Sequence, residues 1–281
     1  VHTNTPGDAL NEAQKYGVLE LAKIENMRTQ HDDLVAGRKA QSTDDLEAIE
    51  QELENGGGVA APEEEFGVVA VCAGDGMAKL FRELGADSIV TGGQTMNPST
   101  DDILREINRT PASTVFVFPN NKNIIMAAEQ CIPMTEKHVV VVPTKNVAMG
   151  IGAVIAFNPE ASVEENREAM TAAAEQVKTG QITFAVRDTV FEDKEIKEGD
   201  IIGIHNGRIE VVGKSIHDIA LELVKHVVED GDSLITIYYG QDTKQEDADA
   251  LGAEVAEMFS DLDVEVQYGG QPLYYYLISA E

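Results

Sequence analysis

The middle of the chain alternates short apolar runs with stretches of helical spacing. The runs FGVVAVCA, DSIV, STVFVF and KHVVVV have the Val, Ile and Phe content of strands. Helices are predicted between them at residues 77–84, 101–108 and 124–130. Strands that alternate with helices predict parallel pairing through crossover helices, and near-continuous apolar strands are typical of a sheet covered on both faces. We therefore predict a parallel, Rossmann-like α/β subdomain at residues 66–148.

A different pattern follows and predicts a second, mixed-sheet α+β subdomain at residues 149–281. IIGIHNGRIEVVG predicts two strands joined at Asn206-Gly207, the strongest short hairpin signal. The stretches ITFAVRDTV, SLITIYYG, DVEVQYGG and PLYYYLISA predict further strands, and residues 162–178, 215–228 and 245–259 predict helices. The three tyrosines at 274–276 alternate faces in such a strand, so we expect at least one ring in the core.

The first 65 residues predict no complete domain. Residues 1–31 have helical spacing broken near Gly17 and are interpreted as the remnant of a preceding middle domain. Residues 32–65 carry 11 acidic residues against Arg38 and Lys39, together with a run of three glycines, which predicts an acidic, Gly-rich linker. The first residues, VHTNTPG, contain neither an initiator Met nor a signal peptide. We expect that the chain was cut from a longer protein.

Charge and cysteine content narrow the functional classes. The 281 residues contain 21 Lys and Arg against 50 Asp and Glu, a net charge of -29, which argues against nucleic acid and anionic membrane surfaces as partners. No apolar run approaches the roughly 20 residues of a membrane span. Cys72 and Cys131 lie in apolar stretches without a CxxC pair, so we expect a reducing, cytoplasmic location and no zinc site.

The main functional signal is the set of loops that follow the four predicted parallel strands. AGDGM, TGGQTMNPST, PNNKN and PTKN should meet at one edge of the sheet, where helix N-termini offer N–H groups to an anion. We predict that a carboxylate or other anion is bound there, with Gly74, Asp75 and Gly76 as secondary candidates. The primary candidates are Gly93, Gln94, Thr95, Asn97, Ser99, Asn121, Lys145 and Asn146. Loop and capping roles remain open for each, notably for Asn97 and Ser99.

Motifs for catalysis and cofactor binding are incomplete. In AGDGMAKLFRELG the third glycine position of a dinucleotide fingerprint is Lys79, and Gly213-Lys214-Ser215 is not spaced as a phosphate-binding loop. The histidines form no ligand pair and no Gly-x-Ser-x-Gly elbow occurs. We therefore predict no catalytic residue, no metal and no cofactor within this chain.

The order of LAKIENMRTQH, FGVVAVCAGDGMAKLFRELGAD, TGGQTMNPSTDDIL and VVPTKNVAMGIGAVIAFNP closely resembles the C-terminal half of the large subunit of the bacterial fatty acid kinase. This family is also labelled dihydroxyacetone-kinase-like or DAK phosphatase. The resemblance covers almost the whole chain and implies a DegV-like fold of two α/β subdomains.

The resemblance also implies a function. In this family an N-terminal domain uses ATP and Mg to phosphorylate an acyl chain presented by a DegV-type fatty-acid-binding protein, which links it to phospholipid metabolism. That domain is not in this sequence. His2 resembles the second histidine of the middle domain's His-x-His pair. The carboxylate loop of DegV proteins has its nearest match at Thr95 to Ser99, where Met96 and Asn97 stand in place of Ser and Gln.

Three functions stay open at this point. The preferred hypothesis is a non-catalytic module that supports docking of a DegV-type partner, homodimer formation or ligand sensing. The second is a stand-alone module that binds a fatty acid or small anion. The third is a phosphatase-type enzyme, for which Asp75 is the visible candidate, although a lone Asp after glycine is typical of a turn or a cap.

Overall fold

The computed structural model describes residues 58–93, 97–191 and 194–281. The predictions for residues 1–31, for most of the linker and for His2 fall outside these ranges. The described chain is an α/β protein in which a parallel sheet is followed by a mixed sheet, as the sequence predicts.

The first sheet consists of four parallel strands in the order β2-β1-β3-β4. Its strands are β1 (Glu64–Cys72), β2 (Ser88–Thr91), β3 (Ala112–Phe118) and β4 (His138–Val141). The helices between them are α1 (Asp75–Glu83), α2 (Thr100–Arg109) and α3 (Ile125–Gln130), with a 3-10 turn at Ile132–Met134. The predicted parallel arrangement is confirmed, so the carboxyl ends of these strands share one edge.

The second sheet has six strands in the order β11-β10-β12-β5-β8-β9. Its strands are β5 (Lys178–Phe184), β8 (Ile201–His205), β9 (Arg208–Gly213), β10 (Leu234–Tyr239), β11 (Asp263–Tyr268) and β12 (Tyr276–Ala280). Helices α6 (Ile216–Val227) and α7 (Gln245–Met258) accompany it. The β10–β11 pair is parallel and the others are antiparallel. The predicted mixed sheet is confirmed.

The predicted hairpin turn at Asn206-Gly207 joins β8 to β9. Both residues have positive φ, 50° and 78°, as a two-residue hairpin turn of this kind requires. Of the three consecutive tyrosines, Tyr276 is the fully buried one, which confirms the expected core ring.

One apolar cluster joins the two sheets. Phe116 and Phe118 of β3 share it with Met170, with Tyr238 of β10 and with Leu277 of β12. Two connecting helices, α4 (Val147–Ile155) and α5 (Val163–Gln176), lead from the first sheet to the second. At the carboxyl ends of its strands the first sheet meets the loop after β11, where the Met77 N–H donates to the Gly269 carbonyl at 2.9 Å.

The structure corrects three element boundaries. β1 begins at Glu64, inside the predicted linker. ITFAVRDTV is not one strand: β5 ends at Phe184, and the chain leaves the sheet to form a small pair of β6 (Thr189–Phe191) and β7 (Lys194–Ile196). The predicted closing strand is shorter, because only Tyr276–Ala280 pairs with β10 and β5.

Helix α4 was not predicted, because Gly150 and Gly152 lower the helix propensity of an apolar run. The structure explains both glycines by close packing. A Cβ at Gly150 would lie 2.1 Å from Oδ1 of Asn120, and one at Gly152 would lie 2.6 Å from a methyl of Val177. The glycines therefore allow α4 to approach its neighbours closely.

Candidate functional site

A cavity of about 50 Å³ lies at the edge where β1 and β3 end. The first subdomain contributes Val71, Cys72, Ala73, Gly92, Gly93, Pro119, Asn120, Asn121, Asn146 and Val147 to its lining. The mixed-sheet subdomain contributes Gln181, Gln271, Pro272, Leu273, Tyr274 and Leu277. The loops predicted from the sequence thus form one wall, and a loop after β11 forms the opposite one.

Three of the eight primary candidates line the cavity: Gly93, Asn121 and Asn146. Asn97 and Lys145 are exposed and are not part of this lining. Gln94 and Thr95 lie outside the described residues. The geometry therefore brings together a subset of the predicted rim, and the binding role of every candidate stays a prediction.

Ser99 has a capping role that the sequence had left open. It is the N-cap of α2, where its hydroxyl accepts from the backbone N–H of Asp102 at 3.1 Å and the Asp102 carboxylate accepts from the Ser99 N–H at 3.0 Å. The Ser99 hydroxyl also donates to the Asp102 carboxylate at 2.7 Å, and this hydrogen bond, followed by the one from the Ser99 N–H, is the main reason that the pKa of Asp102 is lowered. Ser99 is not part of the described cavity lining.

The secondary candidates Gly74, Asp75 and Gly76 lie at the start of α1, against the loop after β11. The Met77 N–H in this first turn donates to the Gly269 carbonyl at 2.9 Å. A Cβ at Gly76 would lie 2.0 Å from the Tyr268 carbonyl oxygen. The absence of a side chain at Gly74 and Gly76 thus permits the two subdomains to meet. Asp75 is exposed and does not line the cavity.

Two asparagines fix the wall that belongs to the first subdomain. Asn120 has a positive φ of 53°, and its side-chain amide donates to the Val71 carbonyl at 2.9 Å, which ties the end of β3 to β1. Asn146 is the N-cap of α4, and its amide nitrogen also donates to the Thr179 hydroxyl of β5 at 3.1 Å. Asn146 therefore links the two subdomains at the cavity.

The opposite wall is formed by the loop after β11. The Gln271 amide donates to the Tyr238 carbonyl at 3.0 Å, and the Leu273 carbonyl accepts from the Thr183 hydroxyl at 2.8 Å. Leu273 adopts a positive φ of 69°, which is strained for a leucine. Sequence reasoning missed this wall, although the tripeptide Gly-Gly-Gln occurs at both 92–94 and 269–271. That repetition is a signal that could have indicated the second loop.

The described lining carries no Asp, Glu, Lys, Arg or His. Burial raises the pKa of the Cys72 thiol to about 12 and also raises the pKa of Tyr274. Both groups therefore hold their protons at neutral pH, so neither serves as a general base there.

Three side-chain atoms within the described residues are buried without a hydrogen-bond partner, and all three belong to cavity-lining residues. They are Oδ1 of Asn120, Nδ2 of Asn121 and Oε1 of Gln271. Such groups are few in native proteins, and each costs free energy unless a ligand or water pairs with it. All three lie in residues that line this cavity, so the unsatisfied buried polar atoms of the described residues are concentrated at the edge where the two subdomains meet.

Other possible sites are not assembled. No group of three or more His, Cys, Asp or Glu residues in the described ranges is arranged to hold a metal ion. In the Gly213-Lys214-Ser215 segment, the Lys214 ammonium pairs with Asp200 and the Ser215 hydroxyl caps α6. Both side chains are therefore already engaged within the protein. Within the same ranges, no helix has both the length and the apolar character that crossing a bilayer requires.

The sequence matches two family models, both of FakA-like fatty acid kinase subunits. The model of their C-terminal domain covers residues 67–281, and the model of their middle domain covers residues 1–34. The chain belongs to the FakA-like family of fatty acid kinase subunits. The protein YloV of Bacillus subtilis is 41% identical over 281 residues, which are all of this chain and 48% of YloV. The chain thus spans about half the length of the curated relatives it matches.

Solved structures confirm the DegV-like fold. A DegV family protein from Thermus thermophilus, described as binding fatty acid, has a TM-score of 0.55 at 14% identity, with 77% of this chain and 99% of that chain covered. The fatty acid kinase B3 protein of Streptococcus pneumoniae, solved with linoleic acid, has a TM-score of 0.51 at 13% identity, with coverage of 77% and 99%. At these identities the likeness establishes the fold, and the ligands belong to those proteins.

Proposed function

We propose that this chain is a non-catalytic module within the large subunit of a fatty acid kinase, and that it docks a DegV-type fatty-acid-binding partner. The observation that carries the proposal is the family match over residues 67–281. In the intact protein, ATP-dependent phosphorylation of the fatty acid would be performed by an N-terminal domain that binds ATP and Mg. The proposal includes a cytoplasmic location, consistent with the free thiols of Cys72 and Cys131.

The chemistry of the cavity supports a role other than catalysis. Its described lining offers amides and apolar groups, and the raised pKa values of Cys72 and Tyr274 leave both groups neutral. Asp75, the candidate for a phosphatase, is exposed on α1 outside this lining. If the chain hydrolysed a phosphate ester and Asp75→Asn abolished that activity, the phosphatase hypothesis would be favoured over docking.

A candidate docking surface is the exposed apolar group at α3 and the following 3-10 turn. Met126, Ile132 and Met134 are 68%, 45% and 51% exposed within nine residues of chain. Large apolar side chains exposed near one another mark interaction surfaces more often than isolated ones do. We propose that this group contributes to contact with the partner.

The test uses the purified chain and a DegV-type protein loaded with oleate. We expect a complex on size-exclusion chromatography with light scattering, and we expect Met126→Gln to weaken it while Met258→Gln, a matched change at an exposed methionine of α7, leaves it intact. With ATP, Mg and oleate, the chain alone should form no acyl phosphate. Acyl phosphate formation by the chain alone, or no complex with any DegV-type protein, contradicts the proposal.

Light scattering of the chain alone also tests the expected homodimer, which stays a prediction. A second candidate function is ligand binding, which is favoured by the cavity between the two subdomains and by the side-chain amides in its described lining.

A further inference from the structure

The hairpin turn between β8 and β9 contains a dipeptide in which the asparagine amide is prone to deamidation. In Asn-Gly, the backbone nitrogen of the glycine can attack the side-chain carbonyl carbon of the asparagine, because glycine has no side chain to hinder the approach. The chain contains this dipeptide twice, at Asn55-Gly56 in the predicted linker and at Asn206-Gly207. Asn206 and Gly207 are both exposed, so water reaches the turn.

The reaction needs only water besides the chain itself. The Gly207 nitrogen gives its proton to water and bonds to Cγ of Asn206, while the Cγ–Nδ2 bond breaks and Nδ2 takes up a proton and leaves as ammonia. Water then opens the five-membered succinimide at one of its two carbonyls. One opening gives aspartate. The other gives isoaspartate, in which the main chain runs through the former side chain and is one methylene longer.

The backbone of the closed hairpin keeps the two reacting atoms apart. Asn206 has a φ of 50°, in the left-handed region, where ψ is about 30–60°. The torsion Cβ–Cα–C–N exceeds ψ by about 120° through the tetrahedral geometry at Cα, so it is roughly 150–180° here. Closure of the five-membered ring needs this torsion near zero. The Gly207 nitrogen therefore does not reach Cγ of Asn206 while the turn is closed.

A neighbouring histidine also anchors the amide that would leave. His205 Nδ1 lies 3.0 Å from the Thr179 carbonyl of β5, so in the neutral ring Nδ1 carries the proton and donates it. His205 Nε2 is then an acceptor, and it lies 2.8 Å from Nδ2 of Asn206. The Asn206 side chain is thus held by a ring of β8 whose orientation is fixed by β5.

The position of β9 allows the hairpin to open locally. Among the described strands β9 pairs with β8 alone, and their register shifts between Gly203 and Ile204, which is a local disruption of the ladder. Opening of an edge element costs less than global unfolding and frees the backbone torsions of Asn206. The longer main chain of isoaspartate does not fit a two-residue turn that needs positive φ at both positions. Ile209 and Val212, which pack against the cluster beside the β6–β7 pair, would then lose their places.

We propose that Asn206-Gly207 is a deamidation site controlled by the β8–β9 hairpin. The closed hairpin preserves the Asn206 amide, opening of the hairpin allows conversion to aspartate or isoaspartate, and isoaspartate prevents the two-residue turn from re-forming. This proposal is independent of the docking proposal, because the reaction involves no partner.

The experiment incubates the full 281-residue chain at pH 8 and 37 °C, in buffer and in unfolding guanidinium chloride. Trypsin then releases residues 198–208, in which Asn206 is the single Asn or Gln, so a gain of one mass unit reports this site. The synthetic peptide of residues 198–208 is the reference in both solutions. We expect Asn206 in the folded chain to react at least about tenfold more slowly than in the peptide, and at about the peptide's rate in guanidinium.

Variants separate the anchor, the charge and the main chain. His205→Phe removes the acceptor for the Asn206 amide and should speed its deamidation in the folded chain by roughly two- to tenfold, the range of one hydrogen bond. His226→Phe is the matched control at an exposed histidine of α6 and should react as the parent does. Asn206→Asp has the charge of the product without its extra methylene. In this variant, hydrogen exchange over residues 208–213 should stay as slow as in the parent, whereas the isolated isoaspartate form should exchange faster.

Equal rates for Asn206 in the folded chain and in the peptide would overturn control by the hairpin. No isoaspartate in guanidinium would overturn the site itself, and an isoaspartate form that exchanges like the parent would overturn the block on re-forming the turn. If His205→Phe fails to fold, the comparison of folded parent with peptide still decides the proposal.

Discussion

The contact between α1 and the loop after β11 makes a sharp prediction for Gly76→Ala. In isolation this substitution should favour the helix, by at most about 1 kcal/mol. Here, the new Cβ would lie 2.0 Å from the Tyr268 carbonyl oxygen and 2.7 Å from the carbonyl carbon. Real Cβ atoms are essentially never found closer than 3.0 Å to such a neighbour. Both atoms belong to the backbone, so the clash can be removed only if α1 and the loop move apart by about 1 Å.

The magnitude follows from two costs. Separation weakens the hydrogen bond from the Met77 N–H to the Gly269 carbonyl, and a buried donor left unpaired costs about 1–3 kcal/mol. Repacking around an added methyl costs a further 1–3 kcal/mol or so. After the helix propensity gain of about 1 kcal/mol is subtracted, we expect a net loss of about 1–5 kcal/mol, which lowers the melting temperature by roughly 2–20 °C for a chain of this size.

Circular dichroism during thermal and urea unfolding measures this loss. Gly58→Ala is the matched control, because a Cβ there meets nothing within 4 Å among the described residues. We expect the control to unfold as the parent does. If Gly76→Ala melts at or above the temperature of the parent, the tight approach between α1 and this loop is refuted.

Three further predictions concern capping, thiols and pH. Ser99→Ala should lower stability to urea by about 0.5–2 kcal/mol through loss of the α2 cap; unchanged stability would contradict the capping role. Cys72 and Cys131, whose pKa values burial raises to about 12 and about 11, should react slowly with Ellman's reagent at pH 8 in the folded chain, and both should react at once in urea; rapid labelling of the folded chain would contradict their burial. Because the unfolded thiols lose protons from about pH 9 while the folded ones keep them, the free energy of unfolding should fall as pH rises from 9 toward 11; equal urea midpoints at pH 8 and 10.5 would contradict this linkage.

Local patterns accounted for most of the fold. The apolar runs of β1 and β3 and the Asn206-Gly207 turn each depend on neighbouring residues, so the sequence predicts them. The cap of α2 also depends on neighbouring residues, but the sequence left Asn97 and Ser99 both open for it. Helix α4 was not predicted because the need for Gly150 arises from Asn120, which is thirty residues away. The end of β5 at Phe184 likewise depends on distant hydrogen bonds, such as the one from the Ala185 N–H to the Asp200 carbonyl.

Local patterns also predicted one part of the candidate site, and distant contacts determine the rest. Parallel strand ends share an edge, which was sufficient to indicate Gly93, Asn121 and Asn146. Gln271 and Leu273 belong to a loop about 150 residues further along the chain, and no local rule brings it to that edge. The pattern of strands also does not predict which hydrogen bonds a loop side chain makes. Ser99 caps a helix, whereas the Asn121 Nδ2 has no partner among the described residues.

The cavity exists only while the two sheets are docked, because one wall comes from the ends of β1 and β3 and the other from the loop after β11. An occupant that needs both walls therefore binds the docked state and stabilises it by RT ln(1 + [L]/Kd), about 2.7 kcal/mol at a hundred times Kd. The close contact of Gly76 with Tyr268 and the link from Asn146 to Thr179 bring the same two subdomains together. It follows that Gly76→Ala should weaken the binding of any molecule that occupies this cavity, although Gly76 does not line it, whereas Ser99→Ala, which affects only α2, should not. Equal binding by both variants would mean that the cavity depends on the first subdomain alone.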